Sequence, residues 1–334
     1  MKTHKKTFII AEAGINHNGK LTLAKRLVDA AKKSGADAIK FQIFKTENVI
    51  TKKAKLCDYQ KKNKNSKTLF SLLKNLELRY KDFQSLISHC KKKKIEFMCT
   101  ADEIDGFNQI SKKIKKIKIG SAELNDNFFL KRIAKEKKIT LLSTGLSNLK
   151  TVKQSRDLLI KEGLPREKIY ILHCNSAYPS PDKDINLKVL ETYKRDFGVN
   201  IGLSDHSPHM LPSILSVSLG ARIIEKHFTL NKKFKGPDHS TSLDPIEFKK
   251  MIQLIRKAEA ILGSSTKKIT PSEKKNFKNI RKGIYAKRKI LRGDAFTTSN
   301  LCVKRPYNGS DIRKFEKLIG KKSRKSYKID QSVY

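Results

Sequence analysis

The sequence predicts an α/β fold, a (β/α)8 barrel followed by a small β-rich domain. Three observations carry this reading. Short apolar, β-branched runs recur along residues 1–263, with amphipathic stretches between them. Polar or ionisable residues stand at the end of every such run. Beyond Gly263 the rhythm stops, and Gly turns separate short runs with little helical pattern.

The runs, in order, are TFIIA at 7–11, AIKFQ at 38–42, IEFMC at 95–99, KIKIG at 116–120, ITLLS at 139–143, IYILH at 169–173, NIGLS at 200–204 and ARIIE at 221–225. Their length and branching suit buried parallel strands. Between them lie helical stretches. In LTLAKRLVDAAKKSG, Leu21, Leu23, Ala24, Leu27 and Ala30 mark one face and Gly35 supplies a stop. NFFLKRIAKEKK and LPSILSVSLG have the same role further on. Eight such units within about 250 residues make a closed barrel. A doubly wound open sheet is the alternative, but it has fewer strands and a Gly-rich phosphate loop. The sequence contains neither GxGxxG nor a Walker motif. The connection 43–94, with TENVITKKAKLCDYQKKNKNSKTL, is long enough to act as a lid. GSSTKKITPSEKK reads as a linker at 264–276, dividing a barrel domain at 1–263 from a second domain at 277–334.

Barrel chemistry sits at the C-terminal ends of the strands. Read there, strand 1 offers Glu12, Asn16 and His17, and strand 2 offers Lys40 and Gln42. Strand 3 gives Thr100, strand 4 gives Lys118, Ser121 and Glu123, and strand 5 gives Ser143 and Thr144. Strand 6 ends in His173, Asn175, Ser176 and Tyr178, strand 7 in Ser204, Asp205 and His206, and strand 8 in Glu225 and His227. Lys40 and Lys118, with the hydroxyls of Thr100, Ser121, Ser143 and Ser204, suit a small anion carrying phosphate and carboxylate. As helix caps the hydroxyls would be purely structural. His206 and His227 end neighbouring strands and suit a divalent ion that keeps positions open for water and substrate. Glu12 and Glu123 suit general acid–base work, anchoring of substrate hydroxyls, or salt bridges to the two Lys.

The bulk composition narrows the partner. Lys and Arg number 74 against 32 Asp and Glu, for a net charge of +42. Such a charge fits nucleic acid or an anionic membrane surface. The Lys are spread along the whole chain, however, and runs such as Lys91–Lys94 lack the interleaved aromatics that stack on bases. Steering of small anions is the better reading, with no nucleic acid or membrane partner expected. The five Cys form no CxxC pair, which suits a reducing compartment. No signal-peptide core or membrane span is visible, so a cytoplasmic protein is expected.

The motifs IAEAGINHNG, KFQIF, KIGSAE, LLSTGLS, LHCNSAYPSP, IGLSDHS, IIEKHFTL and GPDHSTSLDP together resemble the sialic acid synthases. The tail GIYAKRKILRGDAFTTSNLCVKRPYNG resembles their antifreeze-like (SAF) domain. The resemblance runs in order along nearly the whole chain. It implies condensation of phosphoenolpyruvate with an N-acylated amino sugar to a nine-carbon 2-keto acid and phosphate. It further implies that Lys40, Thr100, Lys118, Ser121, Ser143, Ser176 and Ser204 hold phosphoenolpyruvate, and that His206 and His227 bind Mn2+ or Mg2+. Glu12 and Glu123 would contact the reacting water and the sugar hydroxyls. Gln42, Tyr178 and Asp238 would hold the sugar. Arg305 would reach its acyl group from a partner subunit in a domain-swapped homodimer. NHNG and GPDH look more like the neuraminate and legionaminate branches than the pseudaminate branch. Two departures stand out: Ala101 and Asp102 follow Thr100 where members usually have a Pro and an aromatic, and Ser176 replaces an Asn found in some members.

Overall fold

In the computed structural model, which describes residues 6–56 and 68–333, the first unit is a closed barrel of eight parallel strands in sequential order. The strands are β1 (Phe8–Gly14), β2 (Ala38–Ile43), β3 (Glu96–Ala101), β4 (Lys116–Ile119), β5 (Ile139–Ser143), β6 (Ile169–Cys174), β7 (Asn200–Asp205) and β8 (Ile223–His227). Each expected run became a strand, because β-branched residues pack well on a pleat buried on both faces. β1 closes the ring against β8, with Glu12 opposite His227 on one side and opposite Lys40 on the other.

Alternation along the strands sorts the side chains. Ile10, Ala38, Met98, Leu141, Leu172 and Ile223 form an apolar cluster inside the barrel. Two residues further along the same inward rows come Glu12, Lys40, Thr100, Ser143, Cys174 and Glu225. The alternate residues point outwards and join a second, larger core under the helices, including Ile9, Ile39, Phe41, Ile119, Leu142 and Ile224. The period of two thus makes the barrel interior apolar at depth and polar at the mouth.

The helices of this unit are α1 (Leu21–Ser34), α2 (Thr46–Val49), α3 (Leu69–Leu76), α4 (Tyr80–Lys93), α5 (Ile104–Ile110), α6 (Asn127–Ala134), α7 (Leu149–Lys161), α8 (Val189–Phe197), α9 (Leu211–Ser218) and α10 (Pro245–Leu262). α1 ends at Gly35 with φ 92°, the left-handed turn expected there. Its buried face is close to the sequence reading: Ala24 and Leu27 are buried, Leu21 and Ala30 pack half-buried against the same core, and Val28 and Ala31 rather than Leu23 complete the face. The connection 43–94 contains α2, α3 and α4; residues 57–67 of the expected lid lie outside the described residues. Lys91, Lys92 and Lys93 fill the last turn of α4, where cations complement the helix dipole.

Residues 264–334 form a second compact unit. Its core gathers Ile284, Ala286, Ile290, Phe296, Leu301, Tyr327 and Val333 around an antiparallel pair, β9 (Gly283–Ala286) and β10 (Leu301–Lys304). The expected linker at 264–276 is not wholly linker. A helix, α11 (Pro271–Ile280), starts inside it, with a reciprocal capping box between Thr270 and Glu273 and Pro271 in its first turn. That signal stands in the sequence as Thr-Pro-Ser-Glu and outweighs the loop-like composition around it. A short helix, α12 (Phe315–Leu318), follows later.

On the outer side of β7 and β8, Asp205 and Lys226 form an ion pair at 3.0 Å with side chains 2% and 0% exposed. Asp205 also accepts from the Ser207 N–H at 2.8 Å and the Ser213 hydroxyl at 2.6 Å. Lys226 donates to the carbonyls of Ser207 at 2.7 Å and His209 at 2.8 Å. Asp205 is therefore a clamp on the loop after β7. Asp205→Asn leaves Lys226 charged, buried and uncompensated, and is expected to cost about 3–5 kcal/mol in urea unfolding. A loss below about 1 kcal/mol would remove the clamp from the stability of the barrel.

Candidate active site

The inward row of polar groups converges on two buried ammonium groups. Lys40 Nζ lies 2.7 Å from Glu12 Oε2 and 3.8 Å from Glu225 Oε2, and donates to Thr100 Oγ1 at 2.7 Å. Lys118 Nζ donates to Ser143 Oγ at 2.6 Å and to the Ile119 carbonyl at 3.0 Å, and lies 3.8 Å from Glu225 Oε1. Ser204 Oγ donates to that same carboxylate oxygen at 3.0 Å. Glu225 thus bridges the two Lys. Sequence reasoning had placed it at a strand end without a role, because its partners lie on strands far away in the chain. Its spacing of two from His227, which puts both on the inner face, was the available signal.

Burial raises the proton affinity of both acids, but the outcome differs. For Glu225 the nearby Lys118 and Lys40 outweigh burial, and the net direction is down. For Glu12 burial wins over Lys40, helped by the negative charge of Glu225, and the group is pushed from 4.5 up to about 7. Lys40 is held above its ordinary value: burial opposes the charge, but Glu12 and Glu225 favour it more strongly. Of these two acids, Glu12 is the one that burial holds towards its protonated form.

Next to Lys118, three loops meet. The Gly145 N–H donates to Ser121 Oγ at 3.0 Å. A Cβ on Gly145 would lie 2.8 Å from Ser121 Oγ and would also collide with Ser176 Oγ. The missing side chain lets two hydroxyls from different strands approach one point. Gly120 does the same for Glu123, whose carboxylate occupies the space of a Cβ there. Glu123 is partly buried, and burial raises its proton affinity. Gln42 is in register with Thr100, on the inward row that carries Lys40.

The histidines lie on the β7–β8 side. His206 and His227 have ring centroids 5.2 Å apart, and Tyr178 stacks on His206 at 4.2 Å and meets His227 edge-on at 5.7 Å. His206 Nδ1 donates to the Asn175 carbonyl at 2.6 Å, which leaves Nε2 as the ring's remaining donor atom towards a ligand. His227 Nδ1 is buried without a hydrogen-bond partner, 3.9 Å from Asp238 Oδ2. Burial keeps the His227 imidazole neutral, and His206 adds to the effect. Burial also lifts Asp238 to about 6. A backbone carbonyl orienting one imidazole and a neutral, unpartnered second imidazole fit an open divalent-cation seat. Among the described residues no group of three or more His, Cys, Asp or Glu forms a closed one.

Other strand-end residues are held by hydrogen bonds within the loops. Asn16 Nδ2 donates to the Phe228 carbonyl and Ser242 Oγ, both at 3.0 Å, tying the loop after β1 to that after β8. His17 Nδ1 accepts from the Gly19 N–H at 3.1 Å, and His173 Nε2 donates to the Ile185 carbonyl at 2.5 Å. Thr144 and Tyr193 share a hydrogen bond of 3.1 Å behind β5. Arg305 belongs to the second unit, where it is exposed.

The family model of the NeuB family matches residues 27–267. The chain belongs to the NeuB family. It is 42% identical over 333 residues to an N,N'-diacetyllegionaminic acid synthase of Campylobacter jejuni, covering 98% of this chain and 99% of that protein. It is 33% identical over 334 residues to the human N-acetylneuraminate-9-phosphate synthase, covering 98% and 91%. The crystal structure of an N-acetylneuraminic acid (sialic acid) synthetase from Leptospira borgpetersenii in complex with citrate matches with a TM-score of 0.73 at 31% identity, covering 81% of this chain and 90% of that one. Among the described residues no helix is long and apolar enough to cross a membrane.

A carboxyl whose folded value lies above its unfolded one holds its proton more tightly when folded. The Glu12 contribution to stability is therefore fully present below its unfolded value of 4.5 and is lost as pH rises towards about 7. The shift corresponds to about 3 kcal/mol. Melting temperature between pH 5 and pH 7.5 should fall less steeply in Glu12→Gln than in the unaltered protein. Parallel curves would contradict the raised Glu12.

Proposed function

We propose that the chain is a nonulosonic (sialic) acid synthase, condensing phosphoenolpyruvate and water with an N-acylated mannosamine-type sugar. The observation that carries this is the pairing of Lys40 and Lys118 with a ring of hydroxyls beside two imidazoles with unengaged nitrogens. Membership of the NeuB family supports it. Lys40, Lys118, Thr100, Ser143 and Ser204, with Ser121 and Ser176 at the gap over Gly145, seat the phosphate and carboxylate of phosphoenolpyruvate. Glu225 holds the two ammonium groups in place before the substrate enters.

His206 and His227 would hold Mn2+ or Mg2+, which when bound supplies Lewis-acid polarisation of the sugar aldehyde. The C3 carbon of phosphoenolpyruvate forms the new bond to the aldehyde carbon. Water adds at C2, and the tetrahedral intermediate releases phosphate by C–O cleavage. Glu12, with a proton affinity near neutrality, takes a proton from water or hydroxyl at the reacting end, and Glu123 contacts the sugar hydroxyls. Gln42, Tyr178 and Asp238 orient the sugar chain. Residues 277–334 act as an SAF domain, and Arg305 reaches the acyl group from the partner subunit of a domain-swapped homodimer. The product is N-acetylneuraminate or, as the alternative, N,N'-diacetyllegionaminate; the Campylobacter relative favours the second.

A Schiff-base aldolase using Lys40 or Lys118 would need a neutral amine. Lys40 is held charged by Glu12 and Glu225, which argues against that chemistry.

Phosphate release from phosphoenolpyruvate with Mn2+ tests the synthase directly, comparing N-acetylmannosamine with its 2,4-diacetamido-6-deoxy analogue. Release is expected with one sugar and should be abolished by EDTA. No release from either, without phosphoenolpyruvate binding, would sink the reading. His206→Ala should lower activity at least about tenfold while the melting profile survives; full activity of this variant under chelator would remove the metal role. Arg305→Ala should raise the sugar KM and leave phosphoenolpyruvate binding intact, and an unchanged sugar KM would withdraw the Arg305 assignment.

A further inference from the structure

The mouth of the barrel has a second acidic group that the synthase reading leaves unused. The Asp102 N–H donates to the Ile43 carbonyl at 3.2 Å, so the β2–β3 ladder continues one residue past the end of β3. The inward row Met98, Thr100 therefore extends to Asp102. The residue is half-buried, open to the mouth rather than sealed beneath it. Burial, with the negative charges of Glu123 and Glu12 beside it, pushes its carboxyl well above the usual carboxylate range against the opposing Lys40.

Each neighbour is already engaged elsewhere. Lys40 is committed to Glu12 and Thr100, both at 2.7 Å. Glu103 turns back to cap α5, accepting from the N–H groups of Asp105 at 2.7 Å and Gly106 at 2.8 Å. Glu123 is folded over Gly120 towards Thr100. Among the described residues, no hydrogen bond or salt bridge reaches the Asp102 carboxyl. A half-buried carboxyl without a protein donor keeps acceptor capacity for a ligand that brings O–H or N–H groups.

The placement of these groups divides the mouth. Cations and hydroxyls line β4 to β7 at Lys118, Ser121, Ser143, Ser176 and Ser204 and continue to β2 and β3 at the deeper Lys40 and Thr100, whereas Glu12, Gln42, Asp102 and Glu123 add acceptors along β1 to β4. The deeper cations and hydroxyls suit an anion, and the acceptors of β1 to β4 suit a neighbouring neutral molecule rich in O–H and N–H groups. We propose that Asp102 is a specificity-determining residue that, beside Glu123, accepts hydrogen bonds from the hydroxyl or amide N–H groups of the sugar. This rests on the synthase reading and adds a named contact to it. Asp102 stands one inward step beyond Thr100, at the rim of the phosphoenolpyruvate seat, while Lys40 and Thr100 lie deeper and are paired with each other at 2.7 Å.

Steady-state kinetics on the full chain with Mn2+ separates the two claims. Phosphate release is followed while each substrate is varied against a saturating level of the other. Asp102→Ala is expected to raise the sugar KM about fivefold, the loss typical of a hydrogen bond between neutral groups, with the phosphoenolpyruvate KM changed less than about twofold. Asp102→Asn, which keeps one acceptor oxygen and the side-chain shape, should fall between the two proteins. It carries the test alone if Asp102→Ala fails to melt cooperatively, with an expected rise of about threefold. An unmoved sugar KM, or equal rises for both substrates, overturns the role of Asp102 while leaving the synthase reading intact. Unaltered protein that releases no phosphate with either sugar refutes that reading instead.

Discussion

Everything at the mouth of this barrel depends on keeping two ammonium groups charged where there is little water. Lys40 and Lys118 are each almost fully buried, and an isolated buried ammonium is not tolerated. The solution is one carboxylate, Glu225, shared between them, with Glu12 as a second acid on Lys40 alone. The asymmetry matters. Glu225 is opposed by two cations and stays ionised, whereas Glu12 has one cation and a competing acid, so it becomes the proton-accepting member. A single arrangement thus yields both a fixed positive seat and a group that titrates near neutrality.

The second constraint is room. Parallel strands bring side chains to the mouth in rows about 4.8 Å apart, which crowds any site built from neighbouring strands. Gly145 and Gly120 relieve that crowding at the points where hydroxyls and a carboxylate must meet. Neither has a positive φ, so backbone conformation does not demand glycine there. The demand comes from Ser176, Ser121 and Glu123, which occupy the volume a methyl group would need. Gly14 is different: its φ of 50° belongs to the irregular end of β1, where the ladder to β2 shifts after Glu12. There the backbone itself calls for glycine.

Much of this was legible in the sequence, and the reason is periodicity. A period of two assigns each strand residue to a face, so Lys40 with Gln42, and Glu225 with His227, could be grouped before any coordinates. What periodicity does not give is which groups meet across the ring. Glu225 was seen as a strand end, but its bridge between β2 and β4 depends on closure of the whole barrel. Asp205, adjacent to His206, was read as part of the mouth; its odd position sends it outwards to Lys226, and the strand rule could have said so. Asn16 and His17 follow the irregular end of β1, where no period applies. The start of α11 was missed for another reason. Its cap signal, Thr270 to Glu273, sits within a Ser-, Thr- and Lys-rich stretch whose composition reads as loop.

The net charge of +42 stands apart from this economy. Inside the mouth the charges nearly balance, since Lys40 and Lys118 face Glu225 and a part-protonated Glu12. The excess is therefore a property of the exterior, where Lys residues cover helix faces and ends. Exposed charges are screened beyond about 8 Å at physiological ionic strength. They raise the local concentration of anions near the barrel without reaching the atoms that would hold them. Selection at the site consequently rests on short contacts from named inward residues, and the surface charge acts on arrival alone. That separation explains why so basic a chain need not be a polyanion-binding protein: the cations that matter most, Lys40 and Lys118, are hidden from solvent.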